Sequence, residues 1–385
     1  MRKRWPFTFN IVLFAAVAFV SPFMVLYYQD LGFTGTQIGV LTGISPLIIF
    51  FSAPLWTGLA DTTQRHRYFM SAAILMGAIC LLIFPLVNAF WLVFLAAIVL
   101  FFFMAPVTPF SDSAAMFMLG EQKDMYGRIR LGGTIGYGLA ATISGMFVQN
   151  FGLRFAFWGS AVLMFLGFIV SQKLVYGKST SEGPAKGRIR LLLSNPRWIL
   201  FLIVAFSAGM GMAAYNNYLF PYMKDLGASE SFMGLVVLVG TLSEIPVLFF
   251  SNYLIKRFNS YGLYMMSMFI TGLRMILFAV FNSPGMILII QLLNGVTFAT
   301  MWIAGVTYAD ENTSPGLSAT AQGLFNAMVL GIGNAVGGFV GGLLLERIGG
   351  AGLYLVFGVA TLLIVSAIAI LHPRLVSNLK AAPNQ

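Results

Sequence analysis

Long apolar runs separated by short polar breaks set the pattern of this chain. A membrane-spanning helix needs about 20 mostly apolar residues. Runs of that kind lie near 8–29, 38–59, 68–87, 90–118, 127–149 and 153–175, and again near 198–223, 232–254, 261–281, 285–308, 317–343 and 351–371. The pattern predicts an all-α membrane protein of twelve spanning helices arranged as two six-helix halves. The expected division is an N-terminal bundle 1–175, a cytoplasmic linker 176–197 and a C-terminal bundle 198–385. The linker reads YGKSTSEGPAKGRIRLLLSNPR, and its Gly, Ser and Lys content suits a flexible connection. The first run, from Phe7 to Tyr28, is too long for the core of a secretory signal, and no A-x-A-like site follows it.

Composition supports the same picture: 59% of residues are hydrophobic, 9% are charged, and the mean hydropathy is +0.88. A soluble domain of this length needs more charge to cover its surface. The net charge of +10 is a topology signal and requires no nucleic-acid partner. With the N-terminus inside, eighteen of the 22 Lys and Arg residues fall in or beside cytoplasmic segments; Arg154, Lys224 and Arg347 lie outside and Arg274 lies within a helix. The expected location is the inner (plasma) membrane, multi-pass, with both termini cytoplasmic. A single cysteine, Cys80, forms no intrachain disulfide, and two histidines with one cysteine make no ordinary zinc site. No GxxxxGK[ST] phosphate loop is present. Active transport would therefore draw on an ion gradient, and no cofactor or metal is expected.

The halves echo each other. Tyr27-Tyr-Gln-Asp30-Leu31-Gly32, followed by Gly39, aligns at an offset of 195 residues with Tyr222-Met-Lys-Asp225-Leu226-Gly227, followed by Gly234. A weaker echo pairs Gln149-Asn-Phe-Gly152 with Glu346-Arg-Ile-Gly349. Related halves that rock about a shared site are a transporter plan.

After the second run, Leu59-Ala-Asp61-Thr-Thr-Gln-Arg65-His-Arg67 partly matches the cytoplasmic loop motif of the major facilitator superfamily, which the whole chain resembles. Thr57, Thr62 and Gln64 depart from that motif. A finer resemblance is to the lactose-permease and phenylpropionate-permease branch, which is similar to nucleoside–proton symporters. It is carried by Pro106-Val-Thr-Pro109-Phe-Ser-Asp112, Tyr126-Gly-Arg128-Ile-Arg130-Leu-Gly132 with Tyr137, Glu244-Ile-Pro246 and Leu273-Arg274. The resemblance implies that Asp112, Arg130 and Tyr137 hold substrate, and that Asp61, Arg65 and Arg67 form a cytoplasmic gate. One departure is Gln291-Leu-Leu-Asn294, where relatives often place His; Asn cannot titrate. The fifth-helix antiporter signature is absent, and Gly132-Gly-Thr-Ile-Gly136-Tyr-Gly138 stands in its place.

Charged groups inside a membrane usually face protein or water. Glu244 falls near mid-membrane and Arg274 in the outer third of the ninth helix, about 7 Å apart in depth at 1.5 Å rise. They read either as an ion pair locking two helices or as the proton-coupling pair. Asp112 and Arg130 read as substrate contacts or as a pair shaping an inner gate. Asn216, Asn217, Gln291, Asn294, Gln322 and Asn326 either line a path or bond helices together. The glycines from Gly331 to Gly342 lie in a spanning run and read as close helix packing, not a dinucleotide loop. The expected function is proton-coupled import of a small polar or anionic organic solute by a monomer. Proton-driven efflux and a transport-inactive membrane sensor are the alternatives.

Overall fold

The computed structural model describes residues 4–122, 125–177, 192–313 and 317–381. All regular structure among them is helical, chiefly in twelve long helices. These are α1 (Arg4–Asp30), α2 (Gly35–Thr63), α3 (His66–Leu86), α4 (Phe90–Leu119), α5 (Tyr126–Phe151), α6 (Arg154–Ser171), α7 (Pro196–Asp225), α8 (Glu230–Phe249), α9 (Ser260–Val280), α10 (Pro284–Glu311), α11 (318–348) and α12 (350–381). The last two are separated only by Gly349, at φ 69°. Most of the expected linker, residues 178–191, lies outside the described residues.

Local chemistry explains the ends. Thr34 begins α2 with a capping box, accepting from the Gln37 N–H while the Gln37 side chain accepts from the Thr34 N–H. Ser229, Asn195 and Ser283 cap α8, α7 and α10 in the simpler way. Gly32, Gly227 and Gly152, all at positive φ, turn the chain out of α1, α7 and α5. One boundary differs from the sequence expectation. The run read as 232–254 ends as α8 at Phe249, and Ser251–Phe258 forms a separate short helix. That segment half-buries Leu254 and Ile255 but exposes Tyr253, Lys256 and Arg257, so its polar face does not suit the hydrocarbon region.

Arg4, Ala381 and the described ends of the linker lie at one end of the bundle, the terminal face; Asp30, Gly152, Asp225 and Gly349 mark the opposite, far face. Within the N-terminal half, α1 and α5 run parallel. The Ser144 hydroxyl donates to the Phe19 carbonyl at 2.6 Å, and on α6 Ser160 donates to the Ala16 carbonyl at 2.7 Å. Gly136 lies directly against the Ile11 carbonyl, where a side chain has no space.

The halves meet chiefly through α2 with α11 and α5 with α8, and also where the far end of α1 packs on α7. The contacts run from the far face to about mid-depth. Gly35 meets Gly342, Gly39 meets Phe339, Gly145 meets Glu230 and Gly234 meets Ala141. Tyr218 of α7 contacts Thr42 at 3.0 Å and donates to the Gly338 carbonyl. The Phe23 and Phe220 rings meet edge to face at 4.9 Å. One apolar core therefore crosses both halves on the far side. The terminal side of the C-terminal half has its own core around Trp198, Phe201, Tyr264, Tyr308 and Phe325. Among the described residues, no hydrogen bond or ring contact joins the halves on that side of the Phe50–Gly331 level.

Candidate functional site

Arg274 organises the middle of the C-terminal half. Its side chain is 5% exposed, and α10 supplies its neutral acceptors. One guanidinium nitrogen, Nη1, donates to Asn294 Oδ1 at 2.9 Å and to Thr297 Oγ1 at 2.7 Å; Nη2 donates to Gln291 Oε1. Gln291, Asn294 and Thr297 are spaced by three, so one face of α10 meets the guanidinium. The Tyr215 and Phe278 rings lie 5.0 and 5.3 Å from its carbon, within cation–π range. Gln291 Nε2 donates to the Tyr215 hydroxyl at 2.6 Å.

The negative partner is one residue further away. Asn294 Nδ2 donates to Glu244 Oε1 at 2.8 Å and to the Gly240 carbonyl at 3.3 Å. Asn294 thus accepts from the cation and donates to the carboxylate, using both ends of its amide. Glu244 and Arg274 do not pair directly; the ion pairs among the described residues are Asp61–His66 and Lys224–Glu230. Around this bridge α10 leaves regular α geometry, with a 3-10 turn at Gln291–Leu293 and a π-helical stretch at Gly295–Ala299. The Gly295 N–H donates to Ser243 Oγ at 2.9 Å, holding the stretch against α8. Such π segments often occur at functional sites, because the extra residue redirects side chains. Half-buried Glu244 lies within electrostatic range of Tyr137 from the other half and of Tyr215.

The other expected site residues divide into groups. Asp112 lies beside Tyr126 and within electrostatic range of Arg130. Arg130 is exposed, with its guanidinium 4.2 Å from the centre of the Phe14 ring. Asp112 and Arg130 therefore sit together toward the terminal face, while Tyr137 faces the Glu244 region. Asn216 and Asn217 are half-buried and Asn326 is exposed; none makes a hydrogen bond among the described residues. Asn326 immediately precedes a second π-helical stretch, Ala327–Gly333. At the expected gate, Asp61 Oδ1 contacts His66 Nε2 at 2.8 Å, while Arg67 donates to Gln172 at 3.1 and 3.2 Å. Arg65 is exposed and in no ion pair among the described residues. His66 stacks on Tyr176, so these contacts close within one half. Sequence reasoning did not single out Tyr215, Thr297, Tyr126 or His66 as site residues. Thr297, two turns after Gln291 on one α10 face, was the recoverable signal.

Two crevices lie elsewhere: one of about 380 Å³ between Gln29, Asp30, Lys224 and Glu230, the other of about 480 Å³ beside Arg65, Tyr68 and Phe69. The bridged charges lie between helices, away from both.

A family model described as the MFS_1 like family matches residues 7–356. The chain belongs to that family of major facilitator transporters. It is a multi-pass membrane protein and a secondary transporter, not an enzyme. Among its relatives in this family, the uncharacterized transporter YwbF of Bacillus subtilis (strain 168) is 27% identical over 357 residues, covering 92% of this chain and 89% of that protein. The maltose permease of Geobacillus stearothermophilus is 24% identical, with 95% and 93% covered. A probable 3-phenylpropionic acid transporter of Escherichia coli (strain K12) is 23% identical, with 90% and 92% covered. In fold, the MFS_1 like chain superimposes on a crystal structure of the nucleoside transporter NupG with a TM-score of 0.84 at 20% identity, covering 96% and 98%.

Proposed function

We propose that this transporter imports a small polar or anionic organic solute together with protons, by alternating access between its halves. The observation that carries the reading is the Arg274–Asn294–Glu244 bridge. It places one half-buried carboxylate beside the tyrosines of both halves, at the depth where the described contacts between halves end. The terminal face is the cytoplasmic face in this reading, supported by the placement of Lys and Arg. The far face is then the outer gate, shut in this state. Substrate lies between Asp112, Arg130 and Tyr137 on one side and Asn216, Asn217, Glu244 and Asn326 on the other. Gln291 and Asn294 act from behind, through Tyr215 and Glu244. Arg274 is already bound to three neutral side chains. Exposed Arg130 is therefore the cation open to an anionic solute.

Protonation of Glu244 weakens the bond from Asn294, which then meets a neutral acid in place of a carboxylate, and leaves the buried cation without its nearest counter-charge. Substrate and proton together would then favour a different packing of α8 on α10. The test is flux into proteoliposomes of maltose, nucleosides and phenylpropionate, chosen from the relatives' names, with and without an inward pH gradient. Uphill uptake of one of these only with the gradient is expected. Expulsion of an accumulated solute by the same gradient would support efflux, and no flux of any kind would support a sensor. Glu244→Gln should exchange substrate across the membrane but no longer concentrate it. If that variant still concentrates substrate, coupling moves to Asp112 or to another ion.

A further inference from the structure

At the far face, each half closes the start of a helix belonging to the other. Glu346, in the last turn of α11, accepts from the backbone N–H and the hydroxyl of Thr36, both at 2.6 Å. Gln149, in the last turn of α5, accepts from the backbone N–H of Ser231 at 3.2 Å. Thr36 and Ser231 are the second residues of α2 and α8, and they stand 195 positions apart, the offset of the internal repeat. The close approaches beneath them also correspond: Gly342 on Gly35 in one crossing, Gly145 on Glu230 in the other. The two latches share one geometry. They differ in that one acceptor is a carboxylic acid and the other an amide.

That difference has a physical consequence. The first N–H groups of a helix lack partners within it and attract negative charge. A carboxylate there bonds more strongly than an amide, and a protonated acid loses the advantage. Glu346 is exposed, so protons of the far compartment reach it. Arg347 on its own helix is the charged group acting on it, and the start of α2, Thr34 to Gly39, brings no ionisable side chain. On the second crossing, Glu230 is paired with Lys224.

We infer that Glu346 is a positioning residue of the transport cycle, holding the far face shut as a carboxylate and releasing one of the two latches when protonated from that side. Gln149 keeps the other latch at every pH. The inference rests on the alternating-access reading. Its sign follows from the chemistry: the latch is at full strength at high pH and weakens as pH falls.

Spin labels at Asn88→Cys and Asn282→Cys, in a Cys80→Ser background, sit on exposed far-face loops of opposite halves. Distances between them, measured by double electron–electron resonance in nanodiscs without substrate, report opening directly. Between pH 8 and pH 4, which spans the titration of an exposed glutamate, the ratio of open to closed populations should rise about two- to three-fold, most of a helix-end charge effect. Glu346→Gln keeps an acceptor of the same shape and should abolish that response. Two populations whose ratio ignores pH, or a pH response that persists in Glu346→Gln, overturn the latch alone. The wild-type titration decides even if the variant fails to fold. One unchanging distance in every sample overturns alternating access as well.

Discussion

Asn294 determines how two opposite charges coexist here without touching. A direct pair between Arg274 and Glu244 would satisfy both charges in one packing of α8 against α9. An intervening amide lets Glu244 change protonation or partner while Arg274 keeps Gln291 and Thr297. Asn294→Leu keeps much of the volume and removes both bonds, leaving a buried cation poorly compensated. The expected loss is about 3 kcal/mol, seen as a lower unfolding temperature in detergent. An unchanged transition would show that the bridge does not support the fold. Asn294→Asp should instead pair directly with Arg274 and slow pH-driven uptake while retaining the fold. Polar residues within apolar runs made Glu244, Arg274, Gln291 and Asn294 legible in the sequence. Their connection was not, because spacing along one helix does not fix its rotation against the next. Thr297 and Tyr215 were overlooked for another reason: Thr and Tyr are ordinary within spanning helices and carry no charge to mark them.

The helices show which glycines hold a half together and which let the halves separate. Gly136 packs on the Ile11 backbone inside one half, a contact that alternating access leaves unchanged. Gly342 packs on Gly35 across the halves, a contact that must break when the far face opens. Gly136→Val should therefore reduce the yield of folded protein, since overpacking costs about 1–3 kcal/mol or more. Gly342→Val should fold but favour the far-open state. Accessibility of Asn88→Cys and Asn282→Cys variants to a membrane-impermeant thiol reagent, together with expression level, separates the two effects. Equal behaviour of both variants would contradict the distinction. The long helices were readable from the Gly, Pro and Asn breaks between apolar runs. The π-helical stretches after Asn294 and Asn326 were not, since one extra residue in a turn leaves hydropathy unchanged. The end of α8 was misplaced because the apolar residues of Ser251–Phe258 extend the run past the true boundary.

For the whole molecule, the duplication seen as a sequence offset of 195 returns as paired crossings at the far face. The orientation proposed from basic residues makes a separate prediction. A reporter fused after Lys186 or at Gln385 should read as cytoplasmic, and one inserted at Glu230 as external. The opposite result would exchange the inner and outer gates while leaving the helix count intact.

The shared apolar core near Phe23 and Phe220 also bears on temperature. Opening the far face would bring part of that seam into contact with water, and exposing apolar surface raises heat capacity. The two access states should then differ in heat capacity, so the logarithm of their ratio should curve when plotted against reciprocal temperature. Cooling weakens the hydrophobic contribution to closure and so shifts the balance toward the far-open form.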